Sequence, residues 1–168
     1  MKLGPLFAFL LALAACSAET PAPPAAKALS CEASETGAVT ADGAWLREQK
    51  DMNASSAAYF SLCNGAMAPA TLTDLSTPAA AIAMFHETSR DDKGIVSMVP
   101  AGEITLSPGE RVVFAPGGKH VMLMSLSGPI VSGEHAPLTL HFADGAAITV
   151  DAVAKSNVEA AMDEHEGH

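Results

Sequence analysis

The chain has 168 residues and a formal net charge of −10 at neutral pH, since 19 acidic side chains outweigh nine basic ones. It contains no basic patch with interleaved aromatic residues, which excludes a nucleic acid as partner. Its length fits one domain with a single hydrophobic core. An acidic surface suits cationic partners and metal ions, but it also serves solubility alone, so charge does not decide the function.

The first fifteen residues have the layout of a bacterial export signal. Lys2 supplies the positive start, and residues 6–15 form an apolar stretch that is too short to span a bilayer. Residues 13–16, Leu-Ala-Ala-Cys, resemble the lipobox of bacterial lipoproteins, in which the cysteine is lipidated and becomes the first residue. We therefore predict a signal peptide over residues 1–15 and a lipid on Cys16. A plain signal peptide cut near Ala15 or Ala18 is the alternative.

Either form of the signal implies Gram-negative export to the cell envelope, with the domain facing the periplasm. Ser17 resembles the residue at this place in lipoproteins sorted outward, which slightly favours the outer membrane over the inner one. Residues 17–30 are rich in alanine and proline and have no apolar period. We therefore interpret residues 16–36 as the lipidated cysteine followed by a semi-extended tether.

Two cysteines, Cys31 and Cys63, remain once Cys16 carries a lipid. An even pair in an oxidising compartment predicts a disulfide. It would close a loop of roughly thirty residues and contribute on the order of 3 kcal/mol to stability. The alternative makes the two thiolates copper ligands, although neither lies near a histidine or methionine motif in the sequence.

Residues 37–153 consist of short alternating runs that are broken by clusters of Gly, Pro, Asp and Ser, with almost no helical period. This pattern predicts an all-β domain. The regular spacing of its turns is typical of an antiparallel sandwich or a Greek-key barrel. The candidate strands, nine or ten in number, cover residues 38–48, 56–63, 69–76, 80–88, 95–99, 103–106, 111–115, 119–126, 137–143 and 146–153.

The C-terminal residues 154–168 are acidic and show no apolar face, which predicts a flexible tail. Met162, His165 and His168 lie in this tail and form a second candidate metal site, for Cu(II) or for a second copper ion. A solvated chain end is the alternative interpretation.

Three other stretches concentrate histidine and methionine, namely residues 84–88, Met98 and residues 120–124. Thioether sulfur is a soft ligand that binds Cu(I) well and Zn(II), Mg(II) or Ca(II) poorly, while imidazole suits copper in either oxidation state. Period two places His120, Met122 and Met124 on one face of a strand, and Met84 and His86 on one face of an earlier strand. This composition predicts a Cu(I) site.

The spacing of four of these residues resembles a known family. Eleven residues separate His86 from Met98, twenty-one separate Met98 from His120, and one separates His120 from Met122. The periplasmic copper chaperone family called PCu(A)C has His or Met, ten residues, Met, twenty-one residues, His, one residue and Met. The resemblance covers residues 37–153 and includes the runs Ala44-Trp45-Leu46-Arg47, His86-Glu87-Thr88, Gly94-Ile95-Val96-Ser97-Met98 and Pro116-Gly117-Gly118-Lys119-His120.

The resemblance implies a cupredoxin-like β-sandwich, a shallow and exposed Cu(I) site, and delivery of copper toward cytochrome oxidase assembly. By position it implies His86, Met98, His120 and Met122 as the ligands. The sequence departs from the family pattern by one extra residue, which we place in the turn at residues 90–94, where an insertion leaves strand pairing intact. Met84 and Met67 match nothing in the pattern and are predicted to fill the core.

Other classes of function fit the sequence less well. A blue-copper electron carrier needs a cysteine thiolate beside its histidines, and none lies near His120 or Met122. An enzyme needs an activated nucleophile or an acid–base pair, and no spacing typical of one is present. A lipoprotein that scavenges copper without a dedicated acceptor would have the same ligands and stays open. We expect a monomer that hands copper to an envelope acceptor, either an oxidase subunit or a thiol-based assembly protein.

Overall fold

The computed structural model describes residues 31–156 and 158–159. The predicted signal peptide, Cys16 and most of the tether lie outside the described residues, and so do the tail residues Met162, His165 and His168. Within the described part, no helix is long and apolar enough to cross a membrane.

The described domain is built of strands, and the prediction of an all-β fold is confirmed. Each predicted run corresponds to one observed strand, with β2, β4, β9 and β10 slightly longer than predicted. The strands are β1 (Val39–Arg47), β2 (Ser56–Asn64), β3 (Ala70–Ser76), β4 (Ala80–Arg90), β5 (Val96–Pro100), β6 (Ile104–Leu106), β7 (Arg111–Phe114), β8 (Lys119–Leu126), β9 (His135–Phe142) and β10 (Ala147–Lys155).

The strands form one sheet in the order β5-β4-β8-β7-β2-β1-β10-β9-β3-β6, and β8 also pairs with β2. All pairs are antiparallel except β1 with β10 and β7 with β8. Although β3 and β4 lie near opposite ends of this order, they are consecutive in the chain and joined by a bridge between Thr77 and Ala80. The sheet therefore curls back on itself and encloses the core between its two halves, as expected of a sandwich.

The inner face of β4 and β8 anchors the site strands to the core. Phe85, Val121 and Leu123 are buried there, and the Phe85 ring lies 6.0 Å from that of Phe114, centroid to centroid. Because side chains alternate along a strand, burial of these residues turns their neighbours to the outer face. Those neighbours include the predicted ligands His86, His120 and Met122.

A disulfide joins Cys31 to Cys63, with 5.8 Å between the two Cα atoms. It ties the segment before β1 to the end of β2. Next to it, the Cys31 N–H donates a backbone hydrogen bond of 3.0 Å to the Gly109 carbonyl. Both sulfur atoms are engaged with each other, so the structure does not support their alternative interpretation as thiolate copper ligands.

Asn64 is a fully buried polar residue at the end of β2. Its side-chain amide donates to the carbonyls of Ala68 at 2.9 Å and Leu106 at 3.0 Å, and its oxygen accepts the Ala66 N–H at 3.1 Å. The side chain thus satisfies three backbone groups that have little access to water.

We expect Asn64→Ala to lower the free energy of unfolding by about 2 kcal/mol, because it leaves buried backbone groups without partners. Urea unfolding followed by circular dichroism measures this change. Asn53→Ala is the matched control, since Asn53 is exposed. A loss of stability for Asn64→Ala no larger than that of the control would show that these hydrogen bonds of Asn64 do not stabilise the fold.

The chain leaves β10 through a capping box. Glu159 accepts the Ser156 N–H at 2.7 Å, and the Ser156 hydroxyl accepts the Glu159 N–H at 3.3 Å. The Ser132 hydroxyl also donates to Glu159 at 2.6 Å. The hydrogen bonds from Ser132 and then Ser156 lower the pKa of Glu159 from 4.5 to about 2. The carboxylate therefore stays ionised, and able to accept these bonds, until the pH falls to about 2.

Candidate metal centre

The four predicted ligands lie on one face of three adjacent strands, β5, β4 and β8. His86 on β4 is directly opposite His120 on β8, and Met122 on β8 is opposite Met84, two residues before His86. On the other side Met98 on β5 is opposite Thr88, two residues after His86. Directly opposed residues on such strands have Cβ atoms about 5 Å apart, and long side chains also reach diagonal neighbours. His86 is therefore central, with His120 beside it and the two thioethers on its diagonals.

The two histidines form a stacked pair. Their ring centroids are 6.0 Å apart and their planes differ by 21°. Nδ1 of His86 lies 3.3 Å from the Met84 carbonyl oxygen, and Nδ1 of His120 lies 3.1 Å from the Gly118 carbonyl oxygen. A carbonyl only accepts, so each Nδ1 carries the proton and donates it. In the neutral form of such a ring Nε2 has the lone pair, as in histidines that bind metals through one nitrogen and a carbonyl through the other.

The turn before β8 fixes the orientation of His120. The Gly118 N–H donates to the Ala115 carbonyl at 3.1 Å, and Gly117 has a φ of 78°, a value that favours glycine. The Gly118 carbonyl also accepts the Thr88 N–H at 3.1 Å. Because β4 holds this carbonyl in place, the acceptor that orients the His120 ring is itself fixed.

The centre is graded from buried to exposed across the three strands. The His120 residue is 6 % exposed, His86 and Met122 are half-buried, and Met98 is 63 % exposed. All of β5 is exposed, and β5 lies at the end of the strand order. His120 is therefore the buried end of the site, and Met98 is its solvent-exposed end.

The donor set of the centre is neutral and soft. The charged residues beside the histidine pair, Glu87 and Lys119, form a salt bridge of 2.8 Å with each other. Across residues 31–156 and 158–159, no group of three or more His, Cys, Asp or Glu side chains is placed to hold a metal. The arrangement offers two imidazoles and two thioethers, and this chemistry fits Cu(I) better than Zn(II), Mg(II) or Ca(II).

The turn between β4 and β5 lies where we placed the extra residue. The Asp91 carboxylate accepts the N–H groups of Lys93 at 2.9 Å and Ile95 at 2.8 Å. Pairing between the two strands is regular from His86 with Pro100 to Arg90 with Val96. An added residue in this turn therefore leaves the alignment of His86 with His120 unchanged.

The prediction that Met84 and Met67 fill the core is wrong. Met84 is 43 % exposed and Met67 is 63 % exposed. Met84 is a candidate functional residue that the family spacing does not include. The alternation of Met84 with His86 along β4 already indicated their shared face, but it did not show which residue of β8 lies opposite Met84.

The family model for LpqE-like lipoproteins matches residues 39–154, and the chain belongs to this family. A curated relative, Lxx21020 of Leifsonia xyli subsp. xyli (strain CTCB07), is named as a lipoprotein. It is 27 % identical over 143 residues, which cover 82 % of this chain and 79 % of that protein.

Several solved structures share the fold, and they confirm the resemblance to PCu(A)C domains. The copper-bound PCuAC domain from PmoF2 has a TM-score of 0.58 and 27 % identity, covering 71 % of this chain and 94 % of that one. The Cu(I) form of DR1885 from Deinococcus radiodurans has a TM-score of 0.51 and 29 % identity, covering 80 % of this chain and 84 % of that one. The apo form of DR1885 has a TM-score of 0.55 and 28 % identity, covering 90 % and 99 %. The chain therefore has the cupredoxin-like β fold of these domains.

Proposed function

We propose that the protein is a Cu(I) metallochaperone of the bacterial cell envelope, with His86, Met98, His120 and Met122 as its copper ligands. One observation carries the proposal. The strand pairing aligns two imidazoles whose Nδ1 atoms both donate to backbone carbonyls, on the face that also carries the two thioethers. The similarity to the copper-bound PmoF2 domain and to the Cu(I) form of DR1885 supports it.

The chemistry of the donors favours Cu(I) as the cargo. Thioethers are soft ligands, and a site of neutral donors suits the singly charged ion. Thioethers and imidazoles also persist as ligands in an oxidising compartment, where free thiols are lost to disulfides. The pairing of Cys31 with Cys63 agrees with such a compartment.

The exposure of Met98 supports delivery over storage. A ligand that an acceptor displaces must be accessible, and Met98 lies on an exposed strand at the end of the sheet. A storage site has no need of such access. A copper-scavenging lipoprotein without a dedicated acceptor is the second candidate, since its ligands would be the same.

The acceptor that we propose is an envelope copper protein, either the CuA site of cytochrome c oxidase or a thiol-based protein that assembles it. This proposal rests on the family resemblance. Lipidation of Cys16 would keep the domain, as a monomer, on the periplasmic face of a membrane, with the outer membrane favoured.

We expect the Cu(I)-loaded protein to metallate an apo CuA domain or a thiol-based assembly protein. Gel filtration of the anaerobic mixture, followed by copper analysis of each fraction, measures the transfer. A second sample holds the two proteins on opposite sides of a dialysis membrane. Faster transfer in direct contact supports delivery, whereas copper that stays on the donor with both acceptors favours scavenging.

The tail residues Met162, His165 and His168 remain a proposed second site, for Cu(II). A variant truncated after Glu159 keeps the contacts of Ser156 with Glu159 and removes all three residues. We expect it to bind less Cu(II) than the full chain while keeping its Cu(I) equivalent. Equal Cu(II) binding by the two proteins would exclude the tail site.

A further inference from the structure

Met84 occupies the same outer face as the proposed copper ligands. It is directly opposite Met122 and two residues from His86 on its own strand. Its side chain is accessible, with the residue 43 % exposed. It also borders an open depression of about 260 Å³, which Pro100 at the end of β5 also lines.

The register of β4 and β8 therefore gives two ligand sets that share three members. One set contains His86, His120, Met122 and the Met98 thioether from β5. The other set replaces Met98 with Met84 and lies entirely on β4 and β8. In the second set the four residues form two directly opposed pairs, His86 with His120 and Met84 with Met122.

The strands that carry Met84 and Met98 differ in how firmly they are held by the rest of the domain. Phe85, Val121 and Leu123 anchor β4 and β8 to the core. Among the described strands, β5 pairs with β4 alone, and every residue of β5 is exposed. Met98 is thus the donor held by the least supported strand, and a partner that approaches this edge of the sheet meets it first.

We propose that Met84 is a fifth copper-binding residue, which takes the place of Met98 as copper moves toward an acceptor. The exchange forms a bond between copper and the Met84 sulfur and breaks the bond to the Met98 sulfur. Copper stays Cu(I), both thioethers stay neutral, and no proton moves. The flexible, unbranched methionine side chain suits such an exchange. This inference rests on the proposed Cu(I) function.

The test combines affinity with a spectroscopic signal from each thioether. Met98→Leu, Met84→Leu and the double variant are titrated with Cu(I) against a chromogenic chelator. Methionine methyl groups labelled with ¹³C report by NMR which sulfur atoms meet the metal. Leucine keeps the apolar character of the surface, so a purely apolar role of Met84 would survive the substitution. Met124→Leu is the matched control, since Met124 is on the same face of β8, two residues after Met122.

We expect Met98→Leu to keep one Cu(I) equivalent, and Cu(I) to shift the Met84 methyl signal in that variant. Adding Met84→Leu to Met98→Leu should weaken binding by a further tenfold or so, which is about 1.4 kcal/mol. Adding Met124→Leu instead should leave the affinity of Met98→Leu unchanged.

Suppose that the parent binds Cu(I) through His120. An unmoved Met84 signal in Met98→Leu, with equal affinities of Met98→Leu and the double variant, would then overturn this inference and leave the proposed function standing. A parent that binds no Cu(I) would overturn both the inference and the proposed function.

Discussion

His120→Ala is expected to weaken Cu(I) binding by about 100-fold or more. His120 is the most buried of the four proposed ligands, and its Nδ1 is fixed on the Gly118 carbonyl. Loss of the groups that orient a metal-bound histidine already costs 10- to 100-fold in many sites, and loss of the ligand itself removes a bond to the metal. Titration under reducing conditions against a chromogenic Cu(I) chelator measures the change. Met122→Ala should act in the same direction.

His141→Ala provides the control for that experiment. His141 lies on β9, away from β4 and β8 in the strand order, and its Nε2 is 2.9 Å from the Ser76 hydroxyl. This variant should bind Cu(I) as the parent does. Unchanged binding in both His120→Ala and Met122→Ala would show that the spacing is misleading, and an adhesive or structural role would then be the better interpretation.

Replacing both Cys31 and Cys63 with serine is expected to lower the free energy of unfolding by about 3 to 4 kcal/mol. The bridge spans a sequence separation of 32 residues, and a closed loop of that length restricts the unfolded chain by about this amount. The melting temperature should fall by roughly 10 °C. Differential scanning calorimetry of the variant and the parent measures both quantities.

The same double variant should keep its Cu(I) equivalent, because the disulfide lies outside the cluster formed by β5, β4 and β8. Reduction of the parent with a phosphine reductant should reproduce the loss of stability. A variant that unfolds like the parent but binds less Cu(I) would reverse the assignment and make the two cysteines copper ligands.

The strands could be predicted from the sequence because their signals are local. Inward and outward residues alternate along each strand, as Val121 and Leu123 alternate with His120 and Met122. The turns between strands carry glycine and aspartate. The pairing of β1 with β10 and the closure of the sheet join segments that are distant in the chain. No local pattern contains that information, so the strand order had to come from the structure.

The proposed ligands could be predicted because their spacing resembles that of a family, but the rest of the centre could not. The register between β4 and β8 decides that Met84 lies opposite Met122, and it depends on packing along both strands. The acceptors that orient the two imidazoles are backbone carbonyls, of Met84 and Gly118. Every residue has such a carbonyl, so side-chain identity does not reveal which ones are used.

X-ray absorption at the copper K-edge of the Cu(I)-loaded protein shows directly which atoms bind the metal. We predict an edge typical of Cu(I) and a first coordination shell that contains both imidazole nitrogen and thioether sulfur. The double variant Met84→Leu/Met98→Leu should lower the sulfur contribution, while Met67→Leu should leave it unchanged. A shell of nitrogen and oxygen alone would contradict this prediction, because it would exclude the thioethers of Met98 and Met122 as ligands.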